Sequence, residues 1–283
     1  MEKRNSIYWM TMLCMVVLFA CDSGKQKEEQ TTEKEVASVA KTVKVKGEEV
    51  TYQTDSTTMK GYIAYDENQE GVRPAILVIH EWWGHNDYTR ERADMLAGLG
   101  YTALAVDMYG DGKQADHPKD AGKFAGAVMN NLPEATARFE AALALLKAHE
   151  TVDGEKIAAI GYCFGGSVAL SMANAGADLD AVAAFHSGLG LPIMPNDKLT
   201  AKVLVCNGAA DPFISQESVT TFKAMMDSAN ADYDYFAYDG AVHGFTNKGA
   251  DALGEKFSLP LAYQQTADEQ SWKELQKLLK RAF

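Results

Sequence analysis

A basic surplus is what this sequence most plainly lacks. Lys and Arg number 27 against 39 Asp and Glu, a formal net charge of −12. Neutralising phosphates takes a basic face, so no nucleic-acid partner is expected. Cysteine is also scarce. Of the four present, Cys14 and Cys21 lie in the N-terminal segment, leaving Cys163 and Cys206 for the body of the chain. That is no disulfide framework. Counting alone leaves a Cys163–Cys206 bridge open, but the motif around Cys163 points to a free thiol. The N-terminal apolar run Ile7–Ala20 is shorter than the about 20 residues that span a bilayer comfortably. There is no internal repeat, no dinucleotide fingerprint and no phosphate-loop Gly-Lys-Ser/Thr. His80-Glu81 begins like the zinc motif H-E-x-x-H, yet Gly84 stands where the second histidine belongs and His85 comes one place late. No cofactor or metal site is expected.

The N-terminus reads as an address. Lys3 and Arg4 precede the apolar run, which ends Leu18-Phe19-Ala20-Cys21. This is an export-signal pattern, and its end resembles a bacterial lipobox. That resemblance implies cleavage before Cys21, which becomes a lipid-bearing N-terminus, with residues 1–20 as the signal peptide. A plain secretory signal or an uncleaved anchor is the alternative. Several acyl chains on one residue anchor stably where one holds only marginally. Residues 21–41 are rich in Glu, Lys, Gln and Thr with almost no large apolar residue, the composition of a disordered tether. Together these imply an exported chain lipid-anchored to the bacterial cell envelope, facing either the periplasm or the cell surface.

Residues 42–283 form the folded domain. Overall, hydrophobic residues make up 47% of the chain and charged ones 23%, enough apolar material for a large core. Continuous apolar runs such as Ala75–His80, Thr102–Val106, Lys156–Ile160, Ala181–Phe185 and Lys202–Cys206 read as strands covered on both faces. Helical patterns alternate with them at Tyr88–Leu99, within Asp116–His149 with a break near Leu132-Pro133, at Gly165–Ala175, Ser215–Ala229 and Leu261–Arg281. Val43–Gln53 and Lys60–Tyr65 look like an early hairpin, and Tyr233–Tyr238 like the last strand. The alternation predicts an α/β fold, a mostly parallel doubly wound sheet flanked by helices. Ligand sites in such sheets lie beyond the carboxyl ends of the strands.

The sharpest motif is Gly161-Tyr162-Cys163-Phe164-Gly165-Gly166, between a strand and a helix. It matches the nucleophile elbow of α/β-hydrolases, G-x-S-x-G, with cysteine in place of serine. A tight strand-to-helix turn lifts the side chain above the sheet, and the helix N-terminus favours a thiolate and an oxyanion. In this fold an acid and then a histidine follow the nucleophile in chain order. Asp211 follows the strand Lys202–Cys206, and His243 follows Tyr233–Tyr238. His243 is then the base and Asp211 the group that orients it. A buried structural cysteine, a helix cap for Asp211 and a surface position for His243 are the bland readings. His186 precedes Asp211 and so has the wrong order for the base; it is read as a pocket or core residue. Ser167 and Ser187 lie off the apex of the turn.

Beyond these residues the chain resembles the dienelactone hydrolase family of α/β-hydrolases over about residues 55–283. The marks are His80-Glu81-Trp82-Trp83-Gly84, the segment Gly100–Gly110 (GYTALAVDMYG), the elbow, and the Asp211 and His243 loops. The resemblance implies hydrolysis of a small-molecule ester or lactone through Cys163. It implies that Glu81 contacts the resting thiol, although an ion pair with Arg90 or Arg92 is an alternative. It also places the oxyanion donors at the backbone N–H groups of Trp82 and Phe164. The family's carboxylate-binding arginines are missing: Gly110 follows Tyr109 where one would stand, and Asn247, beside Lys248, takes the place of the other. Trp82, Trp83 and Tyr109 instead suit an aromatic pocket. The polar insert Gly110–Pro118 is either a lid or a plain loop. The rival function is a non-catalytic ligand-binding lipoprotein on the same scaffold.

The lipid address is tested by intact-mass analysis of protein made in a bacterial host. Cleavage before Cys21 with a diacylglycerol-sized mass on that residue is expected, and its complete loss in Cys21→Ser. An unmodified Cys21 in membrane-bound wild type removes the lipoprotein reading.

Overall fold

The protein is described by a computed structural model covering residues 42–283; the expected signal peptide, Cys21 and the tether lie outside the described residues. Eight strands occur among the described residues: β1 (Val45–Gln53), β2 (Thr58–Asp66), β3 (Arg73–Ile79), β4 (Thr102–Val106), β5 (Val152–Tyr162), β6 (Ala181–Phe185), β7 (Lys202–Gly208) and β8 (Tyr233–Tyr238). The helices are α1 (Asp87–Gly98), α2 (Pro118–Met129), α3 (Leu132–Lys147), α4 (Phe164–Ala175), α5 (Gln216–Ser228), α6 (Ala250–Phe257) and α7 (Gln265–Ala282). The strands make one sheet in the order β1-β2-β4-β3-β5-β6-β7-β8. The hairpin β1–β2 is antiparallel and joins β4 antiparallel. Every pairing from β4 to β8 is parallel. This is the expected doubly wound architecture.

The apolar runs have no polar alternation because both sheet faces are covered. In β3, Leu77 and Ile79 point into one core while Ile76 and Val78 point into the other. Val203 and Val205 of β7 likewise face away from Leu204 and Cys206. On the first face the partners are Phe139 and Leu143 of α3, Val168 and Met172 of α4, and Phe222 and Met226 of α5. On the second they are Leu96 of α1 and Leu275, Leu278 and Leu279 of α7. A third, smaller cluster joins Trp83, Ala115 and Ala121 with Trp82, Phe124, Leu253, Phe257 and Leu261. It brings together the loop after β3, the start of α2 and α6.

One expectation needs correcting. The final helix starts at Gln265, not Leu261, and α6 precedes it unannounced. Eight residues are too few for a clear helical period. Ser258 ends α6 in a left-handed conformation at φ 54°. Leu261 then runs beside His243, where the N–H of Ala262 donates to the His243 carbonyl at 3.2 Å. The insert Gly110–Pro118 is a fastened loop. The N–H of Ala115 donates to the Trp83 carbonyl at 2.9 Å, and Gln114 Nε2 to the His85 carbonyl at 2.8 Å. Asp107, just past β4, accepts the N–H groups of Lys60, Tyr109, Gly110 and Gly112 at 2.8–3.1 Å.

Phe222 is fully buried whereas Leu99 is 44% exposed. In urea unfolding, Phe222→Ala is expected to cost about 3–5 kcal/mol. Leu99→Ala, which opens no cavity, is expected to stay within about 0.5 kcal/mol of wild type.

Candidate active site

Strand β5 and helix α4 meet at Cys163, whose backbone is held at φ 54° and ψ −117°. Such a conformation costs a non-glycine residue about 1–3 kcal/mol and persists only where packing enforces it. Here the enforcement is close approach. A Cβ on Gly161 would lie 2.1 Å from the Gly165 carbonyl oxygen, and one on Gly165 would lie 2.4 Å from that of Ile79. Only glycine lets β5, α4 and β3 come this near. The N–H of Cys163 donates to the Phe185 carbonyl at 2.9 Å, tying the turn to β6. No side chain caps α4, so its first N–H groups stay available at the turn. Cys163 and Cys206 are both free thiols.

Asp211 and His243 are brought together by the ends of β7 and β8. Asp211 Oδ2 pairs with His243 Nδ1 at 2.8 Å, and Asp211 Oδ1 accepts the N–H of Phe213 at 2.9 Å. Ser215, not Asp211, caps α5. His243 is buried, lies in the same pocket as Cys163, and has a fully buried carboxylate behind it. Burial by itself would lower its pKa. The charge of neighbouring Cys163 and the bond to Asp211 outweigh that and push it up to about 10. The arrangement therefore favours a proton on His243.

Glu81 follows β3, is buried, and lines the same pocket. Its Oε2 accepts from Asn247 Nδ2 at 2.7 Å. Burial pushes its carboxyl above the usual range, against the pull of that bond and of His243. The alternative pairings with arginine do not form, since Arg90 pairs with Glu49 and Arg92 with Asp268. Trp82 and Trp83 line the pocket together with Ala250 and Leu253 of α6 and with Leu261. Phe164 heads α4, where its N–H has no intrahelical partner. The pocket encloses about 10 Å³, roughly one water. Its apolar roof is Trp82, Trp83, Leu253 and Leu261.

Tyr109 and His186 are not in the lining that Cys163 and His243 share, and the burial of His186 matches its reading as a core residue. Tyr109 spends its hydroxyl on the Trp82 carbonyl at 2.9 Å and packs on Phe164 and His80. It lines a separate cavity of about 310 Å³ with Phe124, Val128 and Arg138. His186 is fully buried, and its ring meets that of His243 edge-on at 5.2 Å between centroids. Ser167 and Ser187 donate to the carbonyls of Gly188 and Phe185, both at 2.9 Å, away from any base. The residues that sequence reasoning missed are those of α6 and Leu261, for which no motif speaks, and Asp107, which a carboxylate between a strand and Tyr-Gly could have flagged.

The profile of the dienelactone hydrolase family matches residues 59–283. The chain belongs to the dienelactone hydrolase family. It is thereby an ester- or lactone-hydrolysing enzyme. The solved structure named m3DLH is 37% identical, with a TM-score of 0.80, and the match covers 84% of this chain and 99% of that one. A dienelactone hydrolase-like promiscuous phosphotriesterase, P91, from metagenomic libraries is 34% identical with a TM-score of 0.78, over the same shares. A putative carboxymethylenebutenolidase of Aquifex aeolicus is 27% identical over 71% of this chain and 88% of its own length.

A raised histidine pKa stabilises the fold fully below the ordinary imidazole range and loses that contribution as pH climbs through the folded value. For His243 that window runs from 6.5 to about 10. The stability gap between wild type and His243→Gln, from urea titrations at a series of pH values, is therefore expected to narrow across it. A constant gap would contradict the raised pKa.

Proposed function

We propose that this dienelactone hydrolase family enzyme cleaves an uncharged ester or lactone through an acyl-enzyme on Cys163. The observation that carries the reading is the buried Asp211–His243 pair at 2.8 Å sharing a pocket with the sulfur at the strained elbow. The thiolate attacks the acyl carbon and the carbonyl electrons move to oxygen. The N–H groups of Phe164 and Trp82 receive that oxyanion; one such donor is worth about 3–4 kcal/mol in other hydrolases. As the intermediate collapses, protonated His243 gives its proton to the departing alkoxide. Water then attacks the thioester while His243 takes up its proton, and the acid leaves with Cys163 restored as thiolate. Asp211 keeps the imidazole in register throughout.

Glu81 is assigned to the resting state, where its carboxylate accepts the thiol's hydrogen bond and takes that proton as the thiolate forms on substrate binding, in keeping with its raised pKa. To do so it must share or release Asn247, which occupies one of its oxygens. The lining of the catalytic pocket contains no lysine or arginine, and its walls are Trp82, Trp83, Leu253 and Leu261. This favours an apolar acyl group without a carboxylate. Two comparisons bear on the choice of substrates. Aquifex aeolicus supplies a relative named a putative carboxymethylenebutenolidase, hence a lactone, though one bearing a carboxylate for which this pocket lining offers no lysine or arginine. P91 is described as a promiscuous phosphotriesterase, hence an uncharged phosphotriester as a second electrophile. The proposed cell-envelope location rests on the lipobox-like Leu18–Cys21 alone.

The full chain in detergent is assayed on p-nitrophenyl acetate, a neutral lactone, a carboxylate-bearing lactone and a neutral phosphotriester. Turnover of the neutral carboxylic substrates is expected to fall at least about 10³-fold in Cys163→Ala. A mass increase on Cys163, caught by acid quenching, is expected in wild type. Preference for the carboxylate-bearing lactone would overturn the substrate class. An active Cys163→Ala would overturn the nucleophile. Ligand-induced stabilisation with neither turnover nor adduct would favour the non-catalytic alternative.

A further inference from the structure

The guanidinium of Arg92 is buried on α1, eight residues past the motif His80–Gly84. It donates to the backbone carbonyl of Thr246 and to Asp268 Oδ1 of α7, the latter at 2.7 Å. The rings of Tyr88, Tyr162 and Trp272 surround it at 5.2–5.5 Å. A charge taken out of water at this depth is costly unless paired and bonded. Here it meets a carboxylate, a carbonyl and three aromatic faces, so its orientation is determined.

Thr246 belongs to the tight turn that carries the base. The N–H of Asn247 donates back to the Gly244 carbonyl at 2.9 Å, and Gly244 sits at φ 74°. His243 lies at the start of this turn and Asn247, the partner of Glu81, at its end. The Thr246 hydroxyl is itself a junction. It bonds the Tyr88 hydroxyl at 2.6 Å and His186 Nε2 at 2.8 Å. His186 in turn forms the surface on which the His243 ring rests edge-on, and its Nε2 is 4.0 Å from Glu81 Oε1.

We propose that Arg92 is a positioning residue for the hydrolysis, holding through Thr246 the turn that presents His243 to Cys163 and Asn247 to Glu81. This rests on the reading of Cys163, His243 and Asp211 as the catalytic set. Proton transfer between a sulfur and an imidazole depends steeply on the placement of the ring. Arg92 fixes the turn by its carbonyl, while the Tyr88–Thr246–His186 chain fixes the ring's resting surface. The same charge also acts on His186. Burial, the positive His243 and Arg92 all hold the His186 imidazole in its neutral form, so it does not compete for the thiol proton.

The test uses three variants of the full chain. Arg92→Met with Asp268→Asn removes both buried charges together, so neither is left unpaired. Arg92→Lys keeps the charge and loses the planar fork. Thr246→Val keeps the carbonyl and loses the hydroxyl junction. Melting temperature, kcat and KM on p-nitrophenyl acetate, and the rate of Cys163 alkylation by iodoacetamide at neutral pH are measured for each. For the double variant, kcat is expected to fall about 10–100-fold with KM within about twofold, as for a displaced catalytic group. Alkylation is expected to slow alongside it, with Arg92→Lys restoring part of both. Thr246→Val is expected to lose activity without a matching loss of melting temperature. A lowered melting temperature with wild-type kcat and alkylation rate would make Arg92 a stability residue and overturn the inference. If the double variant does not fold, Arg92→Lys and Thr246→Val decide by the same readings. Should wild type form no acyl adduct, the proposed function falls, while the alkylation comparison still judges Arg92.

Discussion

At Cys163 the backbone is held where a side chain is disfavoured, and much else in the molecule exists to keep it there. The turn closes only because β3, β5 and α4 approach to distances that exclude any Cβ at Gly161 and Gly165. Those distances in turn require the central strands to be packed from both faces by α1 and α7 on one side and α3, α4 and α5 on the other. The strain at the elbow is sustained by the core. Its return is a sulfur standing clear of the sheet beside an uncapped helix N-terminus, where negative charge is favoured.

The charges around that sulfur are arranged by depth. Cys163 beside the ring and the Asp211 carboxylate, whose other oxygen accepts a backbone N–H, together favour the protonated imidazole of His243 despite burial. Glu81 is treated differently. Burial raises it, and a neutral amide, Asn247, is its hydrogen-bond partner where the family pattern would have an arginine. Apart from His243 itself, the pocket lining therefore carries no cation, while one is present outside it, in Arg92. Placed there, it bonds the turn through the Thr246 carbonyl without adding its charge to the cavity lining.

The roof explains the pocket's small volume. Trp82 and Trp83 come from the loop after β3, Leu253 from α6, and Leu261 from the chain that follows it. The Tyr109 hydroxyl on the Trp82 carbonyl, and Asp107 on the backbone of the next loop, fix the floor from which the tryptophans project. Of these contributors, only the two tryptophans and Tyr109 carry a motif that draws attention, and Tyr109 serves from outside the pocket lining.

What the sequence by itself determined is whatever depends on local pattern. Strands such as Thr102–Val106 and Ala181–Phe185 announce themselves because full burial leaves no polar positions in them. The elbow announces itself because close packing tolerates only glycine around Cys163, and the chain order of Asp211 and His243 follows from a sheet whose strand ends converge. Tertiary structure alone decided what depends on partners distant in the chain. Glu81 could have met Arg90, Arg92 or another group, and the fold assigned Arg92 of α1 to Asp268 of α7 and Glu81, after β3, to Asn247, after β8. The place of His186 against His243, of Tyr109 against the Trp82 carbonyl and of α6 beside the pocket was settled in the same way. A side chain's chemistry is written at its own position, but its neighbours across the fold are set by how covered sheet faces and buried charges find their complements.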